Sequence, residues 1–380
     1  MTSRRFFLRG ISALTLGQIL TACGEQSAAF RVLLLQGSIP TQLLASFRRA
    51  SQEQKGLVFK SEETLKSLFK LLETWQKQKS SEAKKSSFSL PFIKKETNQV
   101  PNLTTLGDAW LGKAIEGNAV QPLDPKNWTN WSKLPPKWQE LVKRDGQGDR
   151  DNSGEIWGAP YRWGTTMIAY EKEKFKQLGI SLEDWSDLWR EELRNRLSVV
   201  DNSREIIGLT LKKMGYSYNE TDLDKIGDLK NGLIKFNGQV KFYSSSHYLE
   251  PLILGDTWAA VGWSSDILPL LQSRGNTIGA IVPRSGTALW SDLWVKPTNA
   301  PDSPVTDQWI DFCWQNPGIT QIALFADGLS PIPLDSSISG RNNPLLNMSP
   351  QTLEGSEFLY PLSPATQQQY DRLWAEMRVR

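Results

Sequence analysis

Residues 30–40 read F-R-V-L-L-L-Q-G-S-I-P, a short apolar run that is closed by a glycine and a proline. Such a run predicts a buried strand that ends in a turn. Residues 41–50 have apolar side chains at helical spacing, 58–60 are predicted as a second strand, and 61–78 as an amphipathic helix. Alternating strands and helices predict an α/β body built on a mostly parallel sheet.

The same pattern continues along the chain. Residues 184–196 are predicted as a helix or a loop. The other extended segments are expected at 156–170, 197–200, 259–263, 279–283 and 289–295. Further helices are expected at 203–214, 306–316, 319–326 and 364–377.

Composition limits the class of function. The 380 residues carry 44 Lys and Arg against 41 Asp and Glu, and three of these arginines lie in an acid-free stretch at 1–22. The rest of the chain is therefore neutral by formal charge, which argues against nucleic-acid or membrane binding through a net field. One His and two Cys leave no basis for a Cys/His zinc site or a disulfide framework. The 16 tryptophans suit either a core or flat walls for cations and apolar ligands.

The N-terminus has the features of an export signal. Residues 3–9 read S-R-R-F-F-L-R, 11–22 are uncharged and fairly apolar, and 20–24 read L-T-A-C-G. The first segment resembles the twin-arginine motif, and the second resembles a bacterial lipobox in which Cys23 is lipidated. We therefore expect a signal at 1–22, a tether at 23–29, and an exported, membrane-anchored lipoprotein in the periplasm or another extracytoplasmic space. The alternative is a cytosolic protein with an amphipathic first helix.

Three other features have modest interpretations. The Lys- and Ser-rich residues 79–100 are predicted as a solvated insertion, with a basic contact for a partner as the alternative. The polar residues 144–154 lack the spacing of an EF-hand and predict a turn. Cys313 falls in a predicted helix and is expected to be a buried small hydrophobe.

Five segments in order resemble the spermidine/putrescine-binding proteins of ABC importers, which are extracellular solute-binding proteins. They are G-A-P-Y-R-W-G-T-T-M-I-A-Y at 158–170, W-S-D-L-W at 185–189, L-S-V-V-D-N-S-R-E at 197–205, V-G-W-S-S-D at 261–266 and A-L-W-S-D-L-W at 288–294. The resemblance covers about residues 100–335 and is poor before them. It implies a type II periplasmic-binding-protein-like α/β fold, with two lobes and a ligand cleft at the hinge.

The resemblance also implies how the chain divides into lobes. The chain is expected to cross between lobes near 163–168, 290–295 and 326–331. Lobe 1 would hold 30–165 plus 293–326, and lobe 2 would hold 166–290 plus 330–380. No cofactor and no metal is implied.

A polyamine needs carboxylates for its ammonium groups and aromatic walls for its methylenes. Glu205 and Asp292 resemble the family carboxylates that take amines. Trp290 projects on the same side as Asp292 if that run is extended, and Trp263 ends a strand where a cleft wall belongs. The alternatives are a first-turn helix acid for Glu205 and core positions for the two tryptophans.

Three weaker candidates complete the site. Asn202 stands where the family usually has a second acid, Asp108 is either a ligand carboxylate or a helix cap, and Ser38 follows the first strand. The sequence departs from the family at 36–40, where the first-lobe aromatics are missing. Arg162, near the expected hinge, is placed to offset a carboxylate.

The sequence therefore predicts a non-enzymatic, lipid-anchored substrate-binding subunit of an ABC importer. It would be a monomer that binds a polyamine-like cation by hinge closure and delivers it to a permease, with no nucleic-acid partner. One alternative is an exported carboxylate-dependent hydrolase that uses Asp292 and Glu205. Another is a sensor or scaffold that kept the fold without transport.

Overall fold

The computed structural model describes residues 30–51, 56–82, 99–334 and 343–379. The predicted signal, Cys23, the tether and most of the insertion at 79–100 lie outside these residues. Among the helices that are described, none combines the length and the apolar character needed to cross a membrane.

The described residues form strands and helices that alternate along much of the chain. The strands are β1 (Phe30–Leu35), β2 (Leu57–Glu62), β3 (Leu103–Gly107), β4 (Val120–Gln121), β5 (Lys143–Arg144), β6 (Glu155–Ile156), β7 (Ala159–Glu171), β8 (Leu197–Val200), β9 (Val240–Ser244), β10 (Ala259–Trp263), β11 (Ile278–Ile281), β12 (Ala288–Pro297) and β13 (Glu357–Phe358). The α-helices are α1 (Thr41–Ala50), α2 (Leu65–Glu82), α3 (Leu111–Glu116), α4 (Pro136–Val142), α5 (Lys172–Leu178), α6 (Ser203–Lys213), α7 (Leu229–Gln239), α8 (Glu250–Ile253), α9 (Ser264–Arg274), α10 (Val305–Cys313), α11 (Gly318–Phe325), α12 (Pro350–Gly355) and α13 (Pro364–Arg378).

One large sheet has the strand order β2-β1-β3-β12-β7-β10-β8-β9. Its two flanks are parallel, since β1 pairs in parallel with β2 and β3, and β8 pairs in parallel with β9 and β10. The centre is antiparallel, because β12 runs against both β3 and β7, and β7 runs against β10. The prediction of a mostly parallel sheet is therefore wrong at the centre, where β7 and β12 run back between the flanks.

The central strands β7 and β12 position the residues discussed below. β7 has 13 residues, and its first part pairs with β12 while its second part pairs with β10 and β11. The register between β12 and β7 shifts at a bulge between Asp292 and Leu293. A bulge re-aims the neighbouring side chains, as is common beside binding sites.

The buried apolar residues form two clusters. The first contains residues of β1, β3 and β12 together with α10, and the second contains residues of α6, α7 and α13. Several tryptophans lie fully buried: Trp185, Trp294, Trp309 and Trp314. Much of the high tryptophan content therefore serves the interior, where large aromatic rings contribute strongly to stability.

Several local predictions are confirmed. β1, α1 and β10 match the predicted bounds, and Cys313 is fully buried at the end of α10, where burial raises the pKa of its thiol. The predicted helix at 61–78 is wrong at its start, because residues 61–62 extend β2 and the helix begins at Leu65. The predicted lobe boundaries remain a prediction.

Candidate functional site

Alternate residues of β7 face the candidate site across the centre of the sheet. Arg162 pairs with Asp292 of β12, and Gly164 pairs with Trp290 of the same strand. Thr166, two positions further, pairs with Trp263 at the end of β10. Side chains on a strand alternate between faces, so residues at 162, 164 and 166 point to one side of the sheet.

Asp292 is already bound to a cation of the chain itself. Its Oδ2 accepts from Arg162 Nε at 2.8 Å and lies 2.7 Å from Nη2. Both side chains are almost entirely buried, and Arg162 Nη1 also donates to the carbonyl of Ala326 at 2.6 Å. Burial raises the pKa of the Asp292 carboxyl, and the guanidinium opposes that rise. Arg162 is expected from the sequence to offset a carboxylate, and the structure identifies that carboxylate as Asp292.

Trp290 is half-buried and lies over Gly164. A Cβ atom at position 164 would lie 2.7 Å from Trp290 Cε2 and closer still to Ser264 Oγ. The guanidinium carbon of Arg162 is 5.2 Å from the Trp290 ring centroid, within cation–π range. Trp290 Nε1 is buried and has no hydrogen-bond acceptor among the described residues. The indole is therefore held by shape and by Arg162.

The site residues Asp292, Trp290, Trp263 and Glu205 form a row along β7. Glu205 is the second carboxylate of this row. It is 4% exposed in the first turn of α6, where burial raises its pKa. Its Oε1 accepts from Trp263 Nε1 at 3.0 Å, and its Oε2 accepts from Thr166 Oγ1 at 2.8 Å. Both donors are neutral, so the negative charge of Glu205 is hydrogen-bonded but not neutralised by them.

Asn202 has a structural role in this arrangement. It is the N-cap of α6, and its Oδ1 accepts from the backbone N–H groups of Arg204 at 2.9 Å and Glu205 at 3.3 Å. Such caps satisfy backbone donors that a helix end leaves free. The cap fixes the start of α6 and therefore the direction in which the Glu205 side chain projects from the helix.

Asp108 follows β3 and lies beside the same row. Its Oδ1 accepts from the backbone N–H of Ser291 at 3.0 Å, between Trp290 and Asp292 in sequence. Loss of hydration and repulsion by Asp292 raise the pKa of Asp108 to about 7, against the lowering effect of the Ser291 hydrogen bond. The structure therefore brings a second carboxylate close to Asp292.

The hydrogen bond that Ser38 makes directs its side chain into the interior rather than toward the row. It is fully buried, and its Oγ accepts from the hydroxyl of Tyr161 at 2.8 Å. The same hydroxyl lies 3.0 Å from Thr105 Oγ1. The Ser38 side chain thus belongs to an internal chain of hydroxyl groups.

Sequence reasoning missed two residues that hold the site in place. Thr166 binds Glu205, and the period of two along β7 from Arg162 was a signal that could have found it. The Tyr248 hydroxyl accepts from the backbone N–H of Trp263 at 3.1 Å and donates to Asp266 Oδ2 at 2.5 Å. No local pattern marks Tyr248, because its role depends on contact with a distant strand.

These residues form a row of carboxylates and indoles at the centre of a sheet that has both parallel and antiparallel strands. A sequence model of the bacterial extracellular solute-binding proteins matches residues 98–351. The chain belongs to this family. Within the described ranges, no three Asp, Glu, His or Cys side chains are grouped as metal ligands.

Individual relatives carry more specific names. The chain is 26% identical over 214 residues to the spermidine/putrescine-binding periplasmic protein of Escherichia coli (strain K12), covering 56% of this chain and 58% of the relative. It is 29% identical over 177 residues to the putrescine/cadaverine-binding protein of Pseudomonas aeruginosa, covering 43% of this chain and 49% of the relative. These matches span about half of each relative's length.

Solved structures support the fold. The spermidine/putrescine ABC transporter substrate-binding protein PotD from Streptococcus pneumoniae aligns with a TM-score of 0.74 at 17% identity, covering 92% of this chain and 98% of that chain. A periplasmic thiamin binding protein aligns with a TM-score of 0.56 at 11% identity, covering 92% and 95%. The predicted type II periplasmic-binding-protein-like fold is confirmed.

Proposed function

We propose that this protein is the substrate-binding subunit of an ABC importer and binds a polyamine or a similar small cationic solute. The observation that carries the proposal is the row of carboxylates and indoles. Glu205, beside Trp263, is the carboxylate whose two side-chain donors are both neutral, and Asp108 and Asp292 lie beside Trp290. Carboxylates bind ammonium groups through charge-assisted hydrogen bonds, and indole faces attract cations and cover methylenes. The names of the relatives in Escherichia coli and Pseudomonas aeruginosa support the same class of ligand.

The ion-pair and hydrogen-bond partners of these carboxylates favour ligand binding without catalysis. A hydrolase needs one carboxyl as an acid and another as a nucleophile or base. Asp292 is held in an ion pair with Arg162, which leaves it poorly placed for either task. We therefore propose a carrier that closes around its ligand and passes it to a permease, with contacts from both sides of the row favouring the closed form.

Export and anchoring are part of the proposal. They rest on the sequence at 3–24, with Cys23 as the lipidated residue, and on the extracellular family to which the chain belongs. A monomer is sufficient for this role, because a single chain contains all the residues of the row.

Calorimetric titration of the purified protein tests the proposal. Putrescine, cadaverine, agmatine and spermidine are each titrated, and binding of one molecule per chain by at least one of them is the expected result. The absence of binding heat and of any thermal shift with all four amines would refute a polyamine-type ligand.

Affinity for a cationic ligand is expected to rise with pH around neutrality. Asp108 has a pKa of about 7, and only its ionised form attracts an amine, whereas alkylamines stay protonated there. Binding near pH 7 should therefore release protons. Titrations at about pH 6 and about pH 8 in buffers of different ionisation enthalpy measure both effects.

The Asp108→Asn variant is the control for that pH dependence. It keeps an oxygen acceptor for the Ser291 N–H and removes the titration. Folding stability should move in the opposite direction to affinity, because a folded-state pKa raised from 3.8 favours the folded form at low pH and loses that contribution as pH rises to about 7. An equal pH dependence in the variant would assign the effect to another group.

A further inference from the structure

The Asp292 end of the row already contains a cation. Asp292 and Trp290 supply the carboxylate and the aromatic face that an ammonium group requires. The guanidinium of Arg162 occupies that position, with two nitrogens on Asp292 Oδ2 at 2.7 and 2.8 Å and its carbon 5.2 Å from the Trp290 centroid. An arginine cannot give up its charge at any physiological pH.

Arg162 is fixed in this position by the fold. Its backbone pairs with Asp292 across β7 and β12, directly before the bulge. Its Nη1 donates to the carbonyl of Ala326 at 2.6 Å, and Arg162 is 6% exposed. Moving the side chain aside would leave two buried charges without partners, which is strongly unfavourable.

A second arginine adds positive charge to the same end. Arg144 is 3% exposed, and its Nε has no hydrogen-bond acceptor in the described part of the chain. It interacts electrostatically with Asp108, the other acid at this end. Asp327 also interacts electrostatically with Arg162. The direct ion pair between Arg162 and Asp292, rather than the net charge of this end, is therefore what keeps a ligand ammonium from Asp292.

The Glu205 end differs in charge. Its partners, Thr166 Oγ1 and Trp263 Nε1, are neutral donors. The neighbouring cation Arg204 donates instead to uncharged oxygens, including the carbonyls of Tyr218 and Tyr360. Arg204 attracts Glu205 electrostatically but makes no direct ion pair with it, so a ligand ammonium can take that place.

We propose that this site selects ligands with one cationic end, held by Glu205 and Trp263, and an uncharged end placed against Trp290 and Arg162. Arg162 is the residue that determines this specificity, because it replaces the second ammonium group of a diamine. The proposal rests on the proposed cation-binding function and narrows its ligand class to monoacylated diamines and other monoamines of similar length.

The test compares putrescine with N-acetylputrescine, which has the same chain and one neutral end. In competition titrations with the full-length protein, N-acetylputrescine is expected to bind at least about tenfold more tightly. A wild-type protein that binds putrescine as tightly or more tightly would overturn the selectivity and still support the proposed function. Failure of both amines to bind would remove the selectivity proposal, and the titrations with cadaverine, agmatine and spermidine would then decide the proposed function separately.

Variants at position 162 locate the effect. Arg162→Thr frees Asp292 and is expected to improve putrescine binding at least about tenfold, reversing the preference. Arg162→Lys keeps the positive charge and should retain the wild-type order. An unchanged ratio in Arg162→Thr would overturn the role of Arg162.

Thermal unfolding keeps the test decisive if Arg162→Thr is unstable. The variant leaves Asp292 buried without its cation, so we expect a lower unfolding midpoint. Putrescine should then raise that midpoint more than N-acetylputrescine does, because its second ammonium replaces the missing guanidinium. Equal shifts of the unfolding midpoint with the two amines would contradict the proposal. The affinity ratio of the two amines in the wild-type protein tests the selectivity without any variant.

Discussion

Replacement of Glu205 by Gln is expected to weaken the binding of a cationic ligand by about 100-fold, or about 2.7 kcal/mol. Glu205 is almost fully buried, and its two hydrogen-bond donors are neutral, so its charge remains available to the ligand. Removing one charge of a buried charge pair weakens a complex by amounts of this size. Calorimetric titration of the variant and the wild type measures the difference directly.

Stability separates the binding role of Glu205 from a structural one. Burial raises the pKa of Glu205, which means that the fold bears a cost for its charge. The neutral Gln removes that cost, so the unfolding midpoint should stay the same or rise while affinity falls. Glu191→Gln is the matched control, since its side chain is 77% exposed and is expected to change neither quantity. A loss of affinity below about threefold in Glu205→Gln would show that the ligand does not contact this carboxylate.

Replacement of Gly164 by Ala is expected to impair both stability and binding. The added methyl group would lie 2.7 Å from Trp290 Cε2 and closer still to Ser264 Oγ, so the indole must move away from the row. Overpacking of this kind costs about 1–3 kcal/mol. We expect a lower unfolding midpoint and at least about tenfold weaker ligand binding, measured by thermal unfolding and calorimetry on the same protein.

Gly238→Ala provides the matched control for this substitution. Gly238 lies in α7, and a Cβ atom there meets no other atom within 4 Å. Alanine has the higher helix propensity, so this variant should be as stable as the wild type or more so. Unchanged ligand affinity in Gly164→Ala would place Trp290 outside the binding site.

Local sequence patterns predicted much of the fold because they reflect short-range physics. The run at Phe30–Leu35 and the strand at Ala259–Trp263 were identified within their observed bounds. The helix α7 and the strand β9 were missed. Their polar and apolar residues alternate too weakly to separate a surface helix from a loop by periodicity alone.

The sequence indicated which residues to consider for the candidate site but not the contacts between them, and their role in ligand binding stays a prediction. Glu205, Asp292, Trp263 and Trp290, which the resemblance singled out, lie along one row. Arg162 and Asp292 are 130 positions apart in sequence, so their ion pair depends on strand register and on a bulge that no local pattern specifies. The cap at Asn202 has a recognisable local signal, because Asn is a preferred residue at the start of a helix.

The antiparallel pair β7 and β12 also has a consequence for how the chain folds. Each strand lies at the centre of the sheet, yet the first part of β7, residues 159–165, must wait for β12 before its hydrogen bonds with that strand can form. Contacts between such distant segments slow folding, because a long loop must close first. During synthesis the unpaired edges of β3 and β7 therefore face solvent, and an apolar edge of this kind can pair with another chain. A nascent chain of this protein should depend on chaperones until β12 has emerged.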